Sequence, residues 1–154
     1  MPQLAKGGKY VYGWILINED FSINLPDQII TEYNIQDRNT LYLMTGSKST
    51  GGFCVLTKEL LENSKINSIL NDNKGLAKCS IREQEYITYK GRKYCWTQLK
   101  NNKIYLTKNT LRACNLKVGN KLLSIRSSDI AFTLGVKGPL VEYAHHYSGE
   151  IKIY

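Results

Sequence analysis

The sequence is poor in the residues that break, staple or arm a protein. It has three prolines in 154 residues, and its four cysteines, Cys54, Cys79, Cys95 and Cys114, stand singly. No two are close enough in sequence to form a zinc or redox pair, which sets aside a cysteine-based metal site and a disulfide framework. The thiols read as reduced and mostly buried. Histidine is nearly missing, with only the adjacent pair His145 and His146. Neighbours in sequence point apart on a helix or strand, whereas metal-binding pairs need a spacing that shares a face, so a helix-end or surface role is the expectation. No apolar run approaches the roughly 20 residues of a membrane-spanning helix. Residues 1–13 hold Lys6, Gly7, Gly8 and Lys9 but no apolar stretch of signal-peptide length. The expected address is the cytoplasm.

A catalytic constellation is lacking too. The run at 46–52, Gly-Ser-Lys-Ser-Thr-Gly-Gly, lacks the Gly-Lys-Ser/Thr ending and the strand-loop-helix setting of a phosphate loop, so it reads as a hairpin loop. Glu19 and Asp20 form an acidic turn rather than an acid/base pair. The stretch at 135–139, Gly-Val-Lys-Gly-Pro, reads as a turn into a helix. Nucleophile, base and orienting group nowhere occur together, and the reading is of a non-enzyme without a cofactor.

What the sequence does contain is 42% hydrophobic residues and eleven tyrosines, enough for a packed core and suited to pleated, half-buried surfaces. It also contains a repeat. Sliding 23–45 forward by 81 positions lays it on 104–126 without a gap. Ile23 meets Ile104, Leu25 meets Leu106, Asn34 meets Asn115, Asn39 meets Asn120 and Leu41 meets Leu122. Ile30 with Leu111, Ile35 with Leu116, Tyr42 with Leu123 and Met44 with Ile125 keep their apolar character.

Each copy predicts the same elements. Alternation at 23–25 and 104–106 marks a short strand with one buried face. Pro26 with Asp27, and Thr107 with Lys108, signal helix starts, giving helices over 27–33 and 108–114. Asn34 and Asn115 end them, because asparagine accepts the left-handed conformation a helix terminus needs. After turns at 37–39 and 118–120 come strands at 40–44 and 121–125, loops at 46–52 and 127–129, and closing strands at 53–56 and 130–134. Thr57 caps a helix over 58–63, and Pro139 begins one over 140–146. The first strands fall at 10–17 and 94–99, with a hairpin over 87–94 around Lys90 and Gly91. The Asn- and Ser-rich stretch at 65–74 reads as linker. The domains are thus 1–64 as an acidic first copy, 65–78 as linker and 79–154 as a basic second copy.

The order of strand ending in Leu-Pro, short helix, Asn-Ile, turn and apolar strand resembles the SpoVT/AbrB family of swapped-hairpin domains. The first copy carries it as Ile23-Asn24-Leu25-Pro26, Asn34-Ile35, Asp37-Arg38-Asn39 and Leu41. The second carries it as Ile104-Tyr105-Leu106-Thr107, Asn115-Leu116, Gly119-Asn120 and Leu122. Thr107 stands where the family favours proline, and Arg38 where glycine is usual. The resemblance implies a mainly β, α+β fold of two ββαββ units. These form an intramolecular swapped-hairpin barrel or two small barrels, as a monomeric pseudo-dimer or a homodimer.

Charge suggests how such a fold is used. The net charge is +8. Residues 14–64 carry three basic and seven acidic side chains, net −4, while residues 65–154 carry sixteen basic and six acidic, net +10. A merely solvated surface mixes both signs, and clustered cations suit a polyanion. The resemblance implies phosphate contacts around the first hairpin turn and the helix start. Those places hold Lys100, Lys103, Lys108 and Arg112 in the second copy but Glu19, Asp20 and Asp27 in the first. Lys90, Arg92 and Lys93 of the preceding hairpin extend the basic set, and Tyr89, Tyr94 and Tyr105 are interleaved with it, either packing or stacking on a base. The expectation is a DNA-binding regulator without a membrane role. The alternative is a protein-interaction module, antitoxin-like or scaffold, docking a protein partner on the acidic copy.

Overall fold

The computed structural model describes residues 10–154. They form a mainly β protein of the α+β class. In chain order the elements are β1 (Val11–Leu16), β2 (Ser22–Asn24), α1 (Asp27–Glu32), β3 (Thr40–Thr45), β4 (Phe53–Thr57), α2 (Lys58–Glu62), α3 (Ser68–Asp72), α4 (Lys74–Ala77), β5 (Ile87–Tyr89), β6 (Arg92–Gln98), β7 (Lys103–Tyr105), α5 (Lys108–Ala113), β8 (Lys121–Arg126), β9 (Ala131–Gly135) and α6 (Pro139–His145).

Local chemistry accounts for most of these boundaries. Asn34 and Asn115 adopt φ of 51° and 54°, so both helices close as the asparagines predict. The Thr107 hydroxyl accepts from the Thr110 N–H and the Thr57 hydroxyl from the Leu60 N–H, capping α5 and α2. Lys90 and Gly91, at φ of 48° and 81°, make the tight turn between β5 and β6.

The strands then pair across the two halves of the chain. Seven lie in one sheet in the order β1-β8-β9-β4-β3-β6-β5, and β2 and β7 form a separate ribbon. β1 of the first half lies beside β8 of the second, and β6 of the second beside β3 of the first. In the ribbon Ile23 sits directly opposite Ile104, its own repeat partner, so an approximate two-fold axis passes between them. The repeat reaches the first strands as well: Trp14 faces Leu123, and Trp96 faces Tyr42. The corner bonds are duplicated. Ile17 N–H donates to Asn120 O (3.0 Å) and Leu99 N–H to Asn39 O (3.1 Å), while Gly119 N–H returns to Ile17 O and Arg38 N–H to Leu99 O, both at 2.8 Å. Among the described residues no ladder joins β1 to β5, so strand pairing leaves the sheet open rather than closing it into a barrel.

Both faces of the sheet are covered. On one side Tyr12, Ile15, Leu41, Leu43, Phe53, Val55, Leu122, Phe132 and Leu134 pack with Ile23 and Ile104 of the ribbon and with Ile29 of α1. On the other, α6 lies over Val11, Trp14, Leu123 and Ile125. The stretch read from sequence as a linker covers the rest. It carries α3 and α4, whose Ile69, Leu70 and Leu76 are buried against Tyr42 and Leu56. Burial of those three apolar side chains outweighs the loop-like composition around them. The loop at 46–52 is held as well, since Val136 and Lys137 donate their N–H groups to Thr50 O at 2.9 and 3.1 Å. No helix among the described residues is long and apolar enough to cross a membrane.

Candidate nucleic-acid interface

The basic corner is built on the β6–β7 hairpin. Asn101 and Asn102, at φ of 54° and 61°, form a two-residue turn, and Lys100 and Lys103 exchange backbone hydrogen bonds of 2.9 Å on either side of it. Lys100 is exposed and Lys103 half-buried. From Lys103 the chain runs through β7 into α5, where Lys108 and Arg112, four apart, share the exposed face of the helix. The five residues from Lys103 to Lys108 span at most ~17 Å. Thr110, on the opposite face of α5, is fully buried.

What buries Thr110 is the segment that carries Gln84 and Tyr86. Gln84 is buried at φ 59°. Its amide nitrogen donates to Thr97 Oγ1 (3.1 Å) and Tyr105 O (2.7 Å), and its amide oxygen accepts from Thr107 N–H (2.8 Å) and the Thr110 hydroxyl (2.6 Å). One side chain thus joins β6, β7 and the start of α5. Tyr86 donates to Thr110 Oγ1 at 2.9 Å and lies between two buried thiols. Burial pushes Cys95 up to about 12 and Cys114 up to about 11, so both stay protonated and unreactive near neutral pH. No sequence signal marks Gln84, because its neighbours Arg82, Glu83 and Glu85 make it look like exposed loop.

Strand crossing also changes the company the basic residues keep. Leu25 N–H donates to Asn102 O (3.3 Å), which sets the Lys100–Lys103 turn beside the start of α1 and Asp27. Leu106 N–H donates to Phe21 O (2.9 Å), which sets the turn bearing Glu19 and Asp20 beside the start of α5. Bonds from the Ser22 hydroxyl (2.5 Å) and N–H (3.0 Å), with the charge of Lys103 adding to them, hold the Asp20 carboxyl below its ordinary range. Lys100 Nζ lies 3.9 Å from the Glu83 carboxylate. Acidic and basic corners therefore interlock rather than occupying separate lobes.

The structure does not bring the Lys90, Arg92 and Lys93 hairpin to this corner. That hairpin and Lys100 occupy opposite ends of β6, and the seven residues from Lys93 to Lys100 put ~23 Å between them. Arg92 is further committed, its Nε and Nη2 donating to Thr45 O at 3.2 and 2.7 Å. Lys93 is exposed, and Lys90 is exposed with its Nζ 5.2 Å from the Tyr89 ring centre. Of the interleaved tyrosines, Tyr89 donates to Asp72 (2.6 Å) and packs edge-on against Tyr94, leaving only Tyr105 substantially exposed.

No protein-family model matches this chain, and neither a curated protein nor a solved structure does. Among the described residues no three His, Cys, Asp or Glu side chains gather as a metal site. His145 ends α6 and stacks at 4.8 Å against Trp14.

Proposed function

We propose that this protein binds duplex DNA as a regulator of the AbrB-like type, gripping phosphates through Lys100, Lys103, Lys108 and Arg112. In this reading residues 1–64 and 79–154 are the two copies, and the pairing of strands between them supports the swapped arrangement that the family resemblance implies. The observation that carries the proposal is an asymmetry between equivalent positions. The turn at 18–22 is closed by Asn18 N–H to Ser22 O, as the turn at 100–103 is closed by Lys100 and Lys103. In the first half the matching places hold Asn18, Ser22, Asp27 and Thr31, so the four cations belong to the second half alone. Lys90 and Lys93 form a smaller basic set at the far end of β6.

Phosphate binding releases condensed counterions, and four contacts give a slope of about −3.6 in log affinity against log salt. Anisotropy with a labelled duplex pool is expected to show affinity falling about 100-fold between roughly 50 and 200 mM salt. Changing the four cations to glutamate should abolish binding. A wild-type protein that ignores DNA at low salt would sink the proposal. A second reading, the antitoxin-like or scaffold module, is favoured by Glu19, Asp20 and Asp27. All three are exposed, and none makes an ion pair among the described residues.

A further inference from the structure

We infer that Arg38 is a further phosphate-binding residue, lent by the first half to the basic turn of the second. The inference rests on the DNA-binding reading and adds a contact the charge distribution along the chain does not reveal. The sequence places Arg38 in the acidic half, eleven residues past Asp27. Strand crossing moves it: Arg38 N–H donates to Leu99 O at 2.8 Å, next to Lys100. There Asp37, Arg38, Gln98, Lys100 and Asn101 line an open groove.

Two observations argue for function over chance. The first is backbone conformation. Arg38 has φ 65°, in the left-handed region that side chains other than glycine rarely adopt, while the equivalent corner in the second half holds Gly119 at φ 89°. The two corners make the same bond, so the structure itself does not require an arginine at Arg38. A side chain kept at a strained position points to a use for that side chain.

The second is the state of the charges around it. Arg38 is exposed and makes no ion pair among the described residues. Asp37, the carboxylate of the groove, is engaged by the Asn101 N–H at 2.9 Å. The contact of Lys100 with Glu83 is long and half-exposed, the kind of pair that contributes little and that a phosphate can replace. The groove lining therefore carries two cations and one engaged carboxylate, with Glu83 beside Lys100, and Arg38 presents a guanidinium fork suited to two phosphate oxygens.

The test compares the full chain with Arg38→Gly and Arg38→Lys, using thermal unfolding and duplex anisotropy over a salt series. Glycine relieves the backbone, so Arg38→Gly should unfold at or above the wild-type temperature. It should also bind DNA several-fold more weakly, with a salt slope shallower by about 0.9. Arg38→Lys should keep the slope. A lowered unfolding temperature in Arg38→Gly would show a structural arginine and overturn the inference, as would unchanged affinity and slope. If wild type binds no DNA, inorganic phosphate decides. A phosphate-dependent rise in unfolding temperature that Arg38→Gly loses would keep the groove as a site for free phosphate while the DNA reading fails; no rise would remove both.

Discussion

Gln84 is the side chain on which the basic corner most depends. All four hydrogen-bonding positions of its amide are used, and it has no exposed surface. Replacing it with leucine leaves the part-buried Tyr105 carbonyl and Thr107 N–H without this partner. Orphaned groups of this kind cost about 1–3 kcal/mol each, so Gln84→Leu should destabilise the protein by about 3–5 kcal/mol in urea unfolding. Gln84→Glu tests the same site through pH. Burial and the facing Tyr105 carbonyl raise the folded-state pKa of the new carboxyl above its unfolded value of about 4.3. Its ionisation therefore destabilises the fold at neutral pH, and stability should recover as pH falls toward about 4, where the acid is neutral and donates. Equal stability of Gln84→Glu at both pH values, each measured against wild type, would mean that the side chain is not enclosed.

At the scale of elements, the edge at β1 shows how the sheet is finished. Trp14 N–H donates to Lys152 O (2.8 Å), Tyr154 N–H to Trp14 O (2.7 Å) and Leu16 N–H to Tyr154 O (3.1 Å), so residues 152–154 run parallel along the strand. Gly13 permits this approach, since a Cβ there would lie 2.7 Å from Lys152 O. Deleting 151–154 removes three bonds of about 1 kcal/mol each and exposes a strand edge. The truncated chain should melt earlier and self-associate in size-exclusion chromatography; a monomer with an unchanged melting temperature would show that this edge needs no cover. The elements that sequence reasoning reached are those with local signals. Asn34, Asn115, Thr57 and Thr107 define helix ends by their own side-chain chemistry, and Lys90-Gly91 defines a turn. The 151–154 cover, α3 and α4 were not legible, because short segments without caps or period are held by distant apolar partners. Of the candidate site, Lys100, Lys103, Lys108 and Arg112 were legible as cations at the places the family resemblance implies. Arg38 and Gln84 were not, because only strand crossing and tertiary burial place them.

The whole molecule is held together by contacts between its halves. Among the described residues four of the seven strand ladders, β1–β8, β2–β7, β3–β6 and β4–β9, join residues before position 64 to residues after position 79. The main core likewise mixes Tyr12, Leu41 and Val55 with Leu122, Phe132 and Leu134. Neither half can bury these faces alone, because a chain of that size already sits at the margin of stability even with its core complete. Cutting the chain between residues 64 and 65, in the connection from α2 to α3, should therefore give two pieces that lack a cooperative thermal transition separately and regain it when mixed in equal amounts. The pieces also carry opposite charge. Residues 1–64 sum to −2, from +2 over 1–13 and −4 over 14–64, and residues 65–154 to +10. Attraction between them speeds encounter, whereas the bound state rests on apolar burial and backbone bonds that salt weakens little. Stopped-flow mixing should accordingly show association slowing as salt rises while the unfolding temperature of the reassembled pair changes little. A cooperative transition in either piece alone would mean that one half folds without the other, and the two-fold exchange of strands would then be a consequence of folding rather than its basis.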